Sequence, residues 1–197
     1  MDPVRDGEGT SASASAATDV KDRAARGREW RKRRRWMGIS RAFAATHLDV
    51  AVDTVRRWEA GEIPLPDDAD EMLDGIWPVL SAMDDKLVKD LRNKMADLRK
   101  VAIGPEKPDE LRGTQFVFAR FLKTQDLRRF YPQIKAVSPN IFNAHVTRVK
   151  ERLMAMGAEV ELIDFNRRAY DVYRSIMRAP ENHDTLVMWM RETVGFV

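Results

Sequence analysis

The sequence predicts a mainly α-helical protein, in which a helical bundle that contains a helix–turn–helix precedes a small α/β domain with a short two-stranded sheet. Apolar residues recur every three or four positions over most of the 197-residue chain, which is the helical period. Only the segments TQFVFARFL at 114–122 and EVELIDF at 159–165 have the aromatic and β-branched composition of strands. The predicted divisions are a helix–turn–helix domain at 23–78, a connecting helix and linker at 79–112, and an α/β domain at 113–197.

The composition narrows the class of protein. Apolar residues make up 44% and charged residues 33% of the chain, as is usual for a soluble globular protein. The absence of cysteine excludes a disulfide framework and a thiolate zinc site. No run of eighteen apolar residues and no signal-peptide core is present, so we expect a cytoplasmic protein without a membrane segment.

The N-terminal residues combine a small, polar tail with a basic helix. Residues 1–22 are rich in alanine and serine and are predicted to be disordered, because they offer little apolar surface to bury. A helix is predicted from Lys21 to Met37, with Trp30 and Met37 facing the core. The run KDRAARGREWRKRRR at 21–35 carries most of the excess charge, although the formal net charge is only +3.

The segment SRAFAATHLDVAVDTVRRWEAG, residues 40–61, predicts two short helices joined by a tight turn. Ser40 is a suitable N-cap for the first helix, and Asp49 tolerates the left-handed backbone that such a turn requires. The second helix is predicted at 51–59, with Val55 and Trp58 pointing inward. Gly61 is the expected left-handed end of that helix.

This segment resembles the helix–turn–helix of the lambda-repressor/Cro-type (XRE-like) family over its whole length, without insertion or deletion. The positions that align with the motif are Ser40, Arg41, Ala44, Ala45, Leu48, Asp49, Val50, Thr54, Val55, Trp58, Glu59 and Gly61, with Trp30, Arg34, Met37, Gly38 and Ile39 upstream. The resemblance implies an ion pair between Arg34 and Glu59. It also implies that the second helix enters the major groove of DNA.

The resemblance implies roles for individual side chains. The residues expected at base edges are Ala51, Val52, Asp53, Arg56 and Arg57, with Ala51 and Arg56 at the margin. The residues expected at the DNA backbone are Arg31, Lys32, Arg35, Arg41 and Thr54. Three positions depart from the family pattern, namely Arg41 for glutamine, Ala44 for leucine and Asp49 for glycine. The arginine suggests a phosphate contact in place of the family's amide contact.

Beyond the EIPLP linker, helices are predicted at 67–77 and 79–101, with Pro78 kinking or restarting the chain between them. The second of these helices carries an apolar stripe through Leu80, Met83, Leu87 and Leu91. Such a stripe is more typical of an intramolecular core than of a coiled coil when it is this short, although a dimer contact remains an alternative.

In the C-terminal domain the predicted order is strand, helix, helix, strand, helix, helix. Ser138 and Pro139 begin the second of these helices, and Gly157 ends it. The helix at 166–177 is predicted to turn Ala169, Val172, Tyr173 and Ile176 inward.

More faintly, residues 28–175 resemble a bacterial group of YdiL-like and anti-CRISPR-associated regulators. The resemblance rests on 57–59 with 64–68, the strand at 116–121 and the run GAEVELIDFNRRAY at 157–170. In that group the C-terminal part is associated with dimerisation.

No arrangement of residues in the sequence indicates catalysis. His47, His145 and His183 lie on three separate predicted elements, and no metal-binding His pair, phosphate loop or nucleophile motif is present. We therefore expect no enzyme activity, no cofactor and no metal.

The sequence thus predicts a regulator of transcription that binds double-stranded DNA sequence-specifically, in the style of a phage or prophage repressor. Its partners would be a double-stranded operator and a second copy of the chain, with a monomer on an asymmetric site as a variant. An antitoxin-type autoregulator that binds a toxin through its C-terminal domain, and an RNA-binding regulator, are the alternatives.

Overall fold

The computed structural model of the chain describes residues 9–102, 111–134 and 137–195. Two compact units are distinguished, Met1–Trp77 and Pro78–Val197. The described residues form eight α-helices, one short 3-10 turn and a two-stranded sheet, which confirms the predicted mainly α fold with a small α/β part. Within these ranges, no helix has the length and apolar character needed to cross a membrane.

The N-terminal unit contains α1 (Gly9–Trp36), α2 (Arg41–His47), α3 (Val52–Ala60) and the beginning of α4 (Asp67–Ala102). Its core includes Trp30, Met37, Val55 and Leu73, each at most 2% exposed. The prediction of a disordered tail at 1–22 is wrong for residues 9–22, which belong to α1, while residues 1–8 lie outside the described ranges. Residues 18–22 are exposed, so burial does not explain why α1 extends this far towards the N-terminus. The extension is explained by the high helix propensity of alanine.

Of the two outcomes predicted at Pro78, a kink or a restart of the helix, the restart is wrong, since α4 runs through this proline. Proline has no backbone N–H, so the carbonyl four residues earlier, that of Asp74, loses its helical hydrogen bond. Asp74 is exposed, so water can bind this oxygen instead. The boundary between the two units nevertheless falls between Trp77 and Pro78.

The connecting role predicted for residues 79–112 needs correction, because this part of α4 belongs to the C-terminal unit. Leu87, Leu91 and Met95 pack beside Val88 against a core cluster that also includes Phe116. The apolar stripe of the helix therefore contributes to an intramolecular core. The predicted linker at 105–108 lies outside the described residues.

The C-terminal unit continues with β1 (Gln115–Arg120), α5 (Thr124–Phe130), a 3-10 turn (Pro132–Ile134), α6 (Pro139–Ala155), β2 (Glu159–Asp164), α7 (Arg167–Met177) and α8 (His183–Val194). The strands pair in parallel, in register from Gln115 with Glu159 to Arg120 with Asp164. Parallel pairing requires a crossover connection, which α5 and α6 provide. The cap predicted at Ser138 is present, since its side chain accepts a hydrogen bond from a first-turn amide of α6, and Asn166 and Asn182 cap α7 and α8 in the same way.

An aromatic cluster forms the larger core of this unit. Phe121 is fully buried, and its ring lies 5.3–6.0 Å from those of Phe130, Phe142 and Phe165. Tyr170 completes the cluster from α7. The rings therefore fix where the helices pack around the sheet.

The apolar face predicted for α7 is only partly turned to the core, because Tyr173 packs against the aromatic cluster while its other three residues do not. Only Tyr170 is buried on this helix, whereas Val172 is 54% and Ile176 73% exposed, and Ala169 is also exposed. The Tyr170 ring packs on Phe130 at 5.3 Å, and this large contact sets the rotation of the helix. The stripe of smaller apolar residues consequently faces outward.

Candidate nucleic-acid interface

The α2–turn–α3 segment has the local geometry that its sequence predicts. The Ser40 hydroxyl accepts a hydrogen bond from the Phe43 amide at 3.0 Å, which caps α2. Asp49 adopts a left-handed backbone with φ of 50°, and Gly61 ends α3 with φ of 72°. Ala51 is the N-cap of α3 and provides no capping side chain. The first-turn amides of α3 are therefore without a side-chain acceptor at the cap.

The inner side of α3 is fixed by two residues. Val55 is fully buried and Trp58 is 6% exposed. The Trp58 ring meets the edge of Trp30 with the ring centres 6.4 Å apart. Trp30 in turn donates a hydrogen bond from its indole nitrogen to the carbonyl of Ala69 at 2.9 Å. These contacts attach α3 to α1 and to the start of α4.

Glu59, which is 3% exposed, binds three arginines. Its Oε1 lies 2.5 Å from Nη2 of the buried Arg34, so the pair implied by the family pattern is present. Its Oε2 lies 2.7 Å from Nη2 of Arg41 and 3.8 Å from Nε of Arg31. Arg34 also donates to the carbonyl oxygen of Ile39. This cluster joins the end of α1, the start of α2 and the end of α3.

A close approach between α1 and α3 was not identified from the sequence. A Cβ atom on Gly27 would overlap the carbonyl oxygen of Trp58. Likewise, a Cβ on Gly61 would lie 2.5 Å from the Cα of Ala24. Both helices therefore need glycine where their backbones meet.

The outer side of α3 carries the residues predicted to contact bases. Val52, Asp53, Arg56 and Arg57 are all exposed, and their spacing places them on one face of the helix. Ala51 is exposed beside them at the N-cap. Thr54, predicted at the DNA backbone, is half-buried on the first turn.

The charged side chains of this face pair with one another. Arg56 lies 2.7 Å from Asp53 and 2.8 Å from Glu62, while Arg57 lies 3.5 Å from Glu62. The hydrogen bond from Arg56 lowers the pKa of Asp53 below its ordinary value, and the same bond raises the pKa of Arg56. Glu62 was treated only as part of a linker in the sequence, so its place beside both arginines was missed.

The basic residues of α1 divide between two sides of the helix. Arg26 pairs with Asp67 at 2.7 Å, and Arg33 pairs with Asp74 at 2.5 Å, which fastens α1 to α4. The three residues of α1 predicted at the DNA backbone are exposed, namely Arg31, Lys32 and Arg35. Arg41 differs from the expectation, since its Nε and Nη2 atoms already bind Glu59. Its predicted phosphate contact would have to use the remaining nitrogen.

The C-terminal unit contains a buried polar group that the sequence did not indicate. Asp84 of α4 accepts hydrogen bonds from His145 Nδ1 at 2.5 Å and from Arg148 Nε at 2.6 Å. Burial acts to raise the pKa of Asp84, but the hydrogen bonds from His145 and Arg148 outweigh it and hold that pKa below its usual value. No side-chain group suited to holding a metal ion occurs among the described residues.

The chain matches no model of a known protein family, and no similar sequence was found among curated proteins.

Proposed function

We propose that the protein is a cytoplasmic transcriptional regulator that binds double-stranded DNA sequence-specifically, as a phage-type repressor does. The observation that carries the proposal is the division of α3 into two sides. Val55, Trp58 and Glu59 hold the helix in the N-terminal unit, while Val52 and Arg57 stand on its exposed face. A rigid helix that presents a mixed polar and apolar face is suited to the major groove.

Three exposed side chains of α3 have a suitable partner on a base edge. Arg57 can donate two hydrogen bonds to guanine, Val52 can pack on the thymine methyl group, and Asp53 can accept from the cytosine amine. Ala51 and Arg56 lie at the margin of this face. The ion pairs with Glu62 must open on binding, at a cost of about 1 kcal/mol or less each, because the pairs are exposed.

Contacts to the DNA backbone would come from the exposed basic residues around this face. Arg31, Lys32 and Arg35 are exposed residues of α1, whereas Thr54 and Arg41 are half-buried. The uncapped amides of α3 add donors of the kind that bind phosphate. Each neutralised phosphate releases counterions, so affinity should fall as salt concentration rises.

A homodimer reading an inverted repeat is the assembly that we propose, with half-sites about one helical turn apart. The exposed Val172 and Ile176 on α7 form an apolar surface that would suit the contact between two copies. The alternative assembly is a monomer bound to an asymmetric site. The experiment below distinguishes this monomer from the homodimer.

Selection of binding sites from a pool of random duplexes tests this proposal. We expect a defined motif, and its symmetry distinguishes the dimer from the monomer. Competition with a hairpin RNA of equal charge forms the second arm, and duplex DNA should compete more strongly. Recovery of no motif, or stronger competition by RNA, would refute the proposed function.

A further inference from the structure

The C-terminal unit contains a cavity of about 630 Å³ that is partly open to solvent. A cavity of this size accommodates a drug-sized molecule, for which typical sites measure about 300–1,000 Å³. Every residue of its lining belongs to the C-terminal unit, so it is separate from the exposed face of α3.

The walls of the cavity are largely apolar and partly aromatic. Rings come from Phe116 and Phe118 of β1, from Tyr131 after α5 and from Phe142 of α6. Val187 of α8 closes another side. Aromatic walls of this kind favour a flat, apolar ligand over a sugar or a phosphate.

One buried polar side chain gives the cavity a specific anchor. His145 lines the cavity and is 8% exposed, and its Nδ1 is held by Asp84 at 2.5 Å. Its Nε2 has no hydrogen-bond partner among the described residues. When the imidazole carries one proton, the bond to Asp84 keeps that proton on Nδ1 and leaves a lone pair on Nε2.

Asp84 is itself fixed, which makes the anchor rigid. Arg148, 3% exposed, lies 2.6 Å from Asp84 and balances its charge. The lone pair on Nε2 is therefore available to a hydrogen-bond donor on a molecule that enters the cavity.

We propose that this cavity binds an apolar aromatic small molecule that carries a hydroxyl group, with the hydroxyl donating to Nε2 of His145. The proposal goes beyond DNA binding and does not depend on it. It gives the C-terminal unit the function of a ligand-binding module.

Methionine methyl groups provide the readout, because Met83 and Met190 line the cavity whereas Met37 and Met72 lie in the N-terminal unit. The full chain, labelled with ¹³C at its methionine methyls, is titrated with 2-naphthol. We expect saturable shifts of the Met83 and Met190 signals and none for Met37 and Met72. Absence of these shifts, or equal shifts in both units, would overturn the proposal.

The chemical class is tested with 2-methoxynaphthalene, which has the same rings but no hydroxyl donor. It should bind about fivefold more weakly, as expected for the loss of one hydrogen bond. In a His145→Phe variant that retains dispersed Met83 and Met190 signals, the two affinities should become equal. Equal affinities in the unaltered protein would show that His145 does not select the ligand.

A matched pair of valine variants tests the location. Val187→Trp places a large ring into the cavity and should abolish the shifts, while Val172→Trp on the exposed face of α7 should leave them unchanged. Unaltered binding by Val187→Trp would place the ligand elsewhere. The titration of the unaltered chain decides the proposal even if one variant fails to fold.

Discussion

At the scale of single residues, Glu59 is central to the N-terminal unit because it is a buried acid whose ion pairs join three helices. Its partners Arg34 and Arg41 come from α1 and α2, and Glu59 lies at the end of α3. A buried charge pair need not stabilise a protein relative to an apolar pair, but removal of one partner leaves the other charge buried and uncompensated. The position of α3 thus depends on this carboxylate.

Glu59→Gln is expected to lower the free energy of unfolding of the N-terminal unit by about 3–5 kcal/mol, because Arg34 is left buried without its counter-charge. Tryptophan fluorescence during urea unfolding measures this, since four of the five tryptophans lie in that unit. The control is Glu62→Gln, an exposed acid that also binds arginine, which should cost about 1 kcal/mol or less. Equal losses in the two variants would contradict the importance assigned to Glu59.

Three contacts at this scale differ in how far the sequence could predict them. The Arg34–Glu59 pair followed from a motif in which both positions are fixed. The pairing of Glu62 with Arg56 and Arg57 did not, because it depends on how the chain turns after Gly61. The proximity of Asp84 to His145, 61 positions apart, depends on tertiary packing and has no local signal in the sequence.

At the scale of elements, α1 and α3 pack closely enough that their backbones touch. Gly27 permits this contact because any side chain there would meet the Trp58 carbonyl, which is held in the α3 hydrogen-bond ladder and cannot move independently. The sequence shows a glycine inside a helix, which is ordinarily unfavourable, without revealing the backbone that requires it. The contact fixes how far α3 stands from α1.

Gly27→Ala is expected to destabilise the N-terminal unit by about 3 kcal/mol, as overpacking against a backbone does. The matched control is Gly75→Ala in α4, where an added Cβ meets nothing within 4 Å. That variant should stabilise the helix by about 0.5–1 kcal/mol, the usual advantage of alanine over glycine. Thermal unfolding compares the two, and stabilisation by Gly27→Ala would contradict the close approach.

The junction of α4 with α6 should make the stability of the C-terminal unit depend on pH. The pKa of Asp84 is lowered on folding from 3.8, so its contribution is complete above that pH. The contribution is lost as pH falls below about 4 and the carboxyl becomes protonated. Urea unfolding between pH 6 and pH 2, followed by the Met190 methyl signal, measures it.

The control separates Asp84 from the other acids. Asp84→Asn should be less stable at pH 6 and should lose less stability on acidification. Asp85→Asn, which removes the exposed acid paired with Arg152, should follow the unaltered protein. An unchanged acid profile in Asp84→Asn would show that this buried group does not contribute.

The strands and most helices could be predicted because each has its own composition, cap or period. The rotation of α7 could not, since its apolar period points at Ala169, Val172 and Ile176, whereas the buried side chain is Tyr170. The aromatic contacts of Tyr170 with Phe130, Phe165 and Trp189 decide the outcome. Periodicity identifies an amphipathic helix, but it does not say whether the apolar face meets the core of the same chain.

At the scale of the whole molecule, the exposed apolar face of α7 is where we expect two copies of the chain to meet. We expect the 22.6 kDa chain to have twice that mass in solution, with Ile176→Asp reducing it to the mass of one chain. The control is Leu122→Asp, an equally exposed apolar residue that lies outside this face. Light scattering measures the mass. A dimer that persists in Ile176→Asp would exclude the α7 contact, and a monomeric wild type would favour the asymmetric site.

We propose that the outer face of α3 reads DNA bases, and the sharpest test of this is Arg57→Ala. The measurement is the affinity of this variant for the selected duplex and for each single-base substitution of it, at fixed low salt. The account predicts a loss of about 1–3 kcal/mol on the selected site and relaxed preference at one base pair, while Arg168→Ala on α7 changes neither. Uniform weakening on every duplex would contradict the account.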